Sequence, residues 1–545
     1  MNTKHALITL TLVVAILLSA CAQAAAPTTK EIEQPRVVVK ETQVVEETQP
    51  LAVEKEVRAT QAPLAAEPLP TAASSWTSAP TATPAAPGTV PTPVGNTFQE
   101  YGINPYVDTI EDHYSTFSLD VDTASYSLAR SYINDGNLPP AEAIRVEEFV
   151  NYFDQGYTSP DNVAFAIYAD GAPSPFHNDG TVLLRFGVQG YRVPEFARKP
   201  VTLTFLIDVS GSMQMEGRLE LVKQTLSLLV ERLRSDDTVS IVAYSTEAWV
   251  VLNPTSGNNH DAILNAINSL SPMNSTNAEA GIRLAYQTAM QSYRPNTTNR
   301  VILCSDGVAN VGNTSPDAIL SEVRGYVEEG ITLTSVGVGM GNFNDALLEQ
   351  LADNGDGNYA YVDTLEEARK VLVEDMVSTL EVIAYDAKVQ VDFNPDVVAR
   401  YRLIGYENRA VADQDFRNDS VDAGEIGAGH SATAIYAVQF KPGAQGRIAT
   451  VQLRWQDAQT REVREINGNF NTWDLAGRFE DTSPHYQLAV TVAEFAEILR
   501  GSPWAGNISL SQLYEYASFI RNQLPEDAEV LEFADLVYRA AQIRH

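Results

Sequence analysis

The apolar positions along this chain change period many times, and each change marks an element. Residues 201–209 form a near-continuous apolar run with β-branched side chains, the pattern of a strand buried on both faces. Residues 219–233 repeat apolar side chains at helical spacing. Residues 238–244 and 249–252 read as strands, 261–270 and 278–293 as helices, and 300–304 as another buried strand. Ser315-Pro316-Asp317 opens a further helix with an N-cap and a first-turn proline. A strand at 332–338, a helix at 345–352, a short strand at 359–362 and a last helix at 365–380 complete the series. This alternation predicts an α/β domain over residues 199–380, with a mostly parallel sheet covered by helices on both faces.

The flanks have other rhythms. Residues 98–160 predict a small helical extension. Asp122 or Thr123 caps a helix running to about Asp135, Gly136 stops it, and Pro140 is placed as a first-turn proline. Residues 165–168 and 182–188 read as strands within 161–198, and 387–393, 433–440 and 450–455 as strands within 381–480. Together they predict a β-sandwich-like module assembled from both sides of the central domain; a separate small sheet on each side is the alternative. Residues 481–545 predict helices at 486–499, at 509–523 behind a Ser509-x-x-Gln512 capping box, and at 529–543.

The first residues read as an address. Lys4 precedes an apolar run at 7–18, too short for a comfortable membrane span, and Leu18-Ser19-Ala20-Cys21 follows. Residues 1–20 thus predict an export signal. Small residues before Cys21 resemble the bacterial lipobox, which implies cleavage before Cys21 and lipid on its sulfur and amino group. Ordinary cleavage at the neighbouring alanines is the alternative. Several acyl chains anchor a protein firmly, so the expectation is an extracytoplasmic protein held to a bacterial cell membrane. Residues 21–97, rich in Pro, Ala and Thr, predict a disordered tether.

Composition removes several classes of function. The 545 residues hold 37 Lys and Arg against 70 Asp and Glu, a net charge of −33. No basic field exists to displace counterions from nucleic-acid phosphates or to adhere to anionic lipid. Two cysteines, Cys21 and Cys304, exclude a disulfide framework and a cysteine-based zinc site. Seven scattered histidines without an H-E-x-x-H pattern argue against a zinc enzyme. Cys304, inside an apolar strand, reads as an inert core thiol.

Candidate chemistry lies at the carboxyl ends of the predicted central strands, where open α/β sheets place ligand crevices. Asp208-Val209-Ser210-Gly211-Ser212 follows the first strand, Thr276 lies just before a helix, and Ser305-Asp306-Gly307 follows the Cys304 strand. Three other motifs carry less. Asp120-Val121-Asp122-Thr123 is similar to a phosphatase nucleophile loop, but Ala124 breaks the pattern, and residues 114–119 lack the buried hydrophobic strand it requires. Helix capping and local hydrogen bonding are the better reading there. Gly337-Val338-Gly339-Met340-Gly341 lacks the Lys-Ser/Thr of a phosphate loop. Asp353-Asn354-Gly355-Asp356-Gly357-Asn358 lacks the length and terminal Glu of a calcium loop and reads as a helix-to-strand turn.

Asp208-x-Ser210-x-Ser212, with Thr276 and Gly281 in Ser-Thr-Asn-x-x-x-Gly and Asp306 in Ser-Asp-Gly, resembles the metal-ion-dependent adhesion site of von Willebrand factor type A domains. The resemblance implies a Rossmann-like domain whose Asp208, Ser210, Ser212, Thr276 and Asp306 hold a divalent cation. Mg²⁺ is the first expectation, and Mn²⁺ or Ca²⁺ accept the same oxygen donors. Ser118 to Tyr126, Leu138-Pro139-Pro140 and Arg145-Val146-Glu147-Glu148 look like the N-terminal extension of a bacterial family of such lipoproteins. Residues 401–409 and 422–430 look like its C-terminal domain.

The function expected from these readings is capture of a protein ligand that presents an Asp or Glu carboxylate, through a bound cation and without covalent chemistry. The alternative is an envelope scaffold whose metal site is not essential. No small-molecule substrate is inferred. An enzyme would need a second metal or a general base beside the crevice, and the sequence offers neither. The last helix of the central domain, residues 365–380, runs straight into Glu381 and the C-terminal module, so ligand engagement and C-terminal packing are expected to be coupled through a shift of this helix.

Overall fold

The computed structural model describes residues 36–39 and 96–543, apart from 162, 274, 308–315, 341, 342, 375–380 and 422. The central region builds a six-stranded sheet. Its order is Tyr359–Val362, Thr332–Val338, Thr298–Ser305, Val201–Asp208, Thr238–Tyr244 and Ala248–Ser256. Neighbours run parallel except the last pair, an antiparallel hairpin at the edge. Every residue of Val201–Asp208 is buried, as its unbroken apolar run predicts. Leu203, Phe205 and Ile207 join a core with Leu226, Leu229, Ile263 and Ile267, while Leu206 joins another with Ile282, Tyr286 and Val323. Each such aliphatic side chain contributes about 1.5–3 kcal/mol by leaving water. The order reverses at Val201–Asp208: the next strand in sequence lies on one side and the later ones on the other. The crevice at its carboxyl end is the topological switch point, which positions the candidate site.

The helix Ala124–Asn134 packs on the edge strand Tyr359–Val362 and places Ala124 and Leu128 in the central core. Its expected cap is absent, because the Asp122 carboxylate accepts the Tyr359 backbone N–H at 2.9 Å instead. The edge strand's backbone is thereby satisfied by a side chain rather than by another strand. Pro140 precedes a short 3₁₀ turn, Ala141–Ala143, and the next helix is Val146–Asn151. Tyr114–Ser118, expected not to be a buried strand, is a strand whose last three residues are buried. Its mix of polar and aromatic residues suits the edge position it takes beside Val382–Phe393.

The strands flanking the central domain form two facing antiparallel sheets. One runs Arg36–Val39, Phe165–Pro173, Val182–Gly190, Ser431–Phe440, Val398–Ile404 and Val107–Asp108. The other runs Gly424–Gly427, Val382–Phe393, Arg447–Asp457 and Val463–Asn471. The central domain is an insertion in this module: Val182 pairs with Val438 and Val188 with Ala432 across its whole length. Phe165, Leu184 and Phe186 from one sheet meet Val389, Val451 and Trp455 from the other in a shared core.

Two expectations need correction. Arg36–Val39, within the segment read as a disordered tether, adds a strand to Phe165–Pro173, with Arg36 opposite Ala169. Its run of three valines supplies the β-propensity for that edge. Among the described residues, the last helix of the central domain is α-helical over Leu365–Arg369, and Lys370–Glu374 widens into a π turn. Its predicted end, residues 375–380, lies outside the described residues, as do Ser315, Cys21 and the export signal.

The C-terminal helices are Pro484–Leu499, Leu510–Gln523 behind the Ser509–Gln512 capping box, and Ala528–Gln542 capped by Asp527. They share a core with Tyr126, Phe149 and Phe153 of the extension and with Leu183, Ile435 and Ala437 of the first sheet. Among the described residues no helix is long and apolar enough to cross a membrane.

Candidate metal centre

Asp208 ends the central strand and is fully buried. Its Oδ1 accepts the Ser210 backbone N–H at 2.8 Å, and its Oδ2 accepts the hydroxyls of Tyr244 at 3.1 Å and Ser305 at 2.9 Å. Tyr244 reaches it because Gly281 has no side chain: a Cβ there would stand 2.8 Å from the tyrosine ring. That close approach explains the glycine in the Thr276 motif. The Ser210 and Ser212 hydroxyl oxygens stand 3.0 Å apart, Ser210 buried and Ser212 partly open. Octahedral oxygens about 2.1 Å from a Mg²⁺ ion are about 3.0 Å from one another, so this spacing suits adjacent ligands.

The Thr276 loop is stitched to the same place. Met273 N–H donates to the Val209 carbonyl at 2.6 Å, the Ser245 hydroxyl to the Ser275 carbonyl at 2.7 Å, and Asn277 N–H to the Ser245 carbonyl at 2.7 Å. Asn277 also caps the following helix by accepting the Ala280 N–H at 3.2 Å. Thr276 and Asp306 are both buried. Burial, with the Asp306 charge next, pushes the Asp208 carboxyl up to about 6, against hydrogen bonds from Ser210 and Ser305 that pull it down. Two carboxylates brought together out of water favour a cation between them. Three hydroxyls and two carboxylates form a donor set of hard oxygens, which fits Mg²⁺, Mn²⁺ or Ca²⁺. No group of three or more His, Cys, Asp or Glu that could hold a metal occurs among the described residues, so a metal centre here relies on hydroxyl donors.

The structure therefore brings the Asp208, Ser210, Ser212, Thr276 and Asp306 loops to one crevice. Sequence reasoning missed Tyr244 and Arg218, and named Ser305 only as part of its motif without a role. The Arg218 guanidinium donates to Asp306 Oδ2 at 3.0 Å. One signal was available: Arg218 opens the helix Arg218–Val230, where the macrodipole disfavours a cation unless an anion faces it. Cys304 is buried and free, and burial pushes its thiol up to about 12, in keeping with an inert core residue.

Asp120 and Asp122 do other work. Asp120 accepts from Arg409 Nε at 3.0 Å and from the Asp122 N–H at 2.9 Å. Arg409 also meets Asp122 at 3.4 Å and Asp353 at 2.8 Å, so this pair clamps the extension, the central domain and the C-terminal module together.

The family model of the von Willebrand factor type A domain matches residues 202–375, and one described as von Willebrand factor matches 93–185. A third, described as the C-terminal part of uncharacterized protein YfbK, matches 378–447 and 439–543. The chain is 35% identical over 477 residues to uncharacterized protein YfbK of Escherichia coli (strain K12), covering 82% of each. It is 26% identical over 308 residues to inter-alpha-trypsin inhibitor heavy chain H3 of Mesocricetus auratus, covering 52% of this chain and 33% of that one. A solved von Willebrand factor type A structure from Catenulispora acidiphila is 15% identical, covers 64% of this chain and 89% of that one, and gives a TM-score of 0.38. The chain belongs to the YfbK family of bacterial proteins with a von Willebrand factor type A domain.

Proposed function

We propose that this protein is a non-enzymatic binding protein that captures a carboxylate-bearing protein ligand through a divalent cation, Mg²⁺ before Mn²⁺ or Ca²⁺. The observation that carries the reading is the crevice itself: Asp208 and Asp306 buried together, with the Ser210 and Ser212 hydroxyls 3.0 Å apart beside them. Asp208, Ser210, Ser212, Thr276 and Asp306 would hold the cation. Bound there, it would supply an electrophilic position, since the hydroxyl donors add no negative charge beyond that of the two carboxylates. Tyr244 and Ser305 orient Asp208 through its Oδ2. The rim carries exposed Met215 and Met273, the latter tied to the Asp208 loop through the Val209 carbonyl. Adaptable thioethers beside an electrophilic site suit an acidic residue flanked by apolar ones. The Cys21 motif after an export signal supports an extracytoplasmic position held to the membrane by a lipid anchor.

The test is a pull-down of envelope proteins by the full chain in Mg²⁺, in chelator, and with Asp208→Ala in Mg²⁺. A partner retained only by the wild type in Mg²⁺ supports metal-dependent capture. Partners held equally in all three arms move the function to the flanking modules.

A further inference from the structure

Arg218 is a component of the crevice that cation binding does not call for. Its side chain is 3% exposed. One terminal nitrogen donates to Asp306 Oδ2 at 3.0 Å and the other to the Met340 carbonyl, while the buried Nε finds no partner among the described residues. The backbone leaves it a slot. Gly339 has φ +77°, and a Cβ there would stand 2.0 Å from Arg218 Nε. The glycine-rich stretch that is not a phosphate loop thus accommodates an arginine. Glu216 also approaches at 3.4 Å, but its side chain is 68% exposed and screened by water.

We infer that Arg218 sets the charge balance of the crevice, loosening its hold on the cation and strengthening its hold on an anionic ligand. This rests on the proposed function and adds a specificity-determining residue to it. Asp208 and Asp306 together carry two negative charges, which a dication cancels. The enclosed guanidinium then leaves the occupied crevice one charge positive, and a partner carboxylate restores neutrality. The same charge repels the dication. Both effects act in a site from which water is largely excluded, where charges interact more strongly than in bulk solvent. Arg218 is too enclosed to touch a ligand, so it acts through its field and by holding Asp306.

The signs of the two effects are opposite, and that separates them from a merely structural role. Mn²⁺ binding to the full chain is read by electron paramagnetic resonance, and acetate binding to the Mn²⁺-loaded protein by paramagnetic relaxation of ¹³C-acetate. Arg218→Gln is expected to bind Mn²⁺ about tenfold tighter and acetate about threefold or more weaker. Arg218→Lys, which keeps the charge, stays within about twofold of wild type in both. Gly339→Ala, which crowds the guanidinium out of its slot, shifts both affinities in the Arg218→Gln directions by smaller factors. No change in Arg218→Gln, or changes of both affinities in the same direction, overturns the inference. Should Arg218→Gln lose its cooperative thermal transition in chelator, the signs in Gly339→Ala decide alone. A wild type with no saturable Mn²⁺ binding that Asp208→Ala abolishes would overturn the proposed function itself, a result distinct from wild-type binding that Arg218 does not influence.

Discussion

The crevice at Asp208 and the clamp around Arg409 use the same kinds of side chain to opposite ends. In the clamp, arginines and backbone N–H groups engage the carboxylates. Arg409 meets Asp120, Asp122 and Asp353, and Arg145 meets Glu148 and holds Asp345 at 2.8 Å. These groups join the extension, the central domain and the C-terminal module. In the crevice, one arginine, Arg218, meets Asp306, while Asp208 is met by two hydroxyls and a backbone N–H. The comparison teaches that a buried acid becomes a fastener where arginine forks satisfy it. Where the donors around it are mostly neutral, as at Asp208, it keeps unmet charge, which is what the proposed capture of a cation uses.

Breaking the clamp should have the largest effect. Arg409→Met leaves Asp120, Asp122 and Asp353 without their shared guanidinium, and removing one partner of a buried ion network costs about 3–5 kcal/mol. Thermal unfolding should show that loss while Mn²⁺ affinity stays within about twofold, since the crevice is elsewhere. Asp208→Ala should do the reverse. Mn²⁺ affinity falls at least about a hundredfold, because losing even a supporting residue of a metal ligand costs about 10–100-fold. Unfolding in chelator should then change less than in Arg409→Met. If both variants weaken the metal equally, the division between the regions fails.

Glu494 sharpens the contrast as a buried acid whose Oε1 accepts the Gly506 N–H at 2.6 Å. Burial pushes its carboxyl up to about 7. Between about pH 4.5 and 7 the folded protein keeps a proton that the unfolded chain has released, so this group's contribution to stability falls as pH rises through that window. Glu494→Gln should be about 1–3 kcal/mol more stable than wild type at pH 8 and equal to it at pH 4.5, as urea denaturation at the two pH values would show. The smallest effect is expected from Tyr244→Phe. It removes one hydroxyl donor from Asp208 Oδ2 and should weaken Mn²⁺ about tenfold with little change in stability in chelator.

Local patterns carried much of this architecture. The apolar run at 201–209 sufficed for a doubly buried strand, and Ser509-x-x-Gln512 for a helix start, because each depends on residues adjacent in sequence. The crevice loops were legible for the same reason: each hangs from one strand end with its polar residues in fixed local spacing. Tyr114–Ser118, Val398–Ile404 and Val463–Asn471 were not expected, since their mixed polar and apolar residues become strands only beside their partners. Asp122 looked like a cap because capping is the local use of an aspartate, and its real partner, Tyr359 N–H, is 237 residues away.

The sequence by itself determined the α/β alternation, the order of the three crevice loops and the absence of a basic face, since these follow from side-chain periodicity, short-range spacing and charge. Only the tertiary structure decided that Val182–Gly190 and Ser431–Phe440 share a sheet, that Arg36–Val39 extends it, and that Arg218 stands at Asp306 and Tyr244 at Asp208. Those choices join residues far apart in the chain. They are set by which buried surfaces and charges can satisfy one another once the elements pack, a condition that no local window of sequence contains.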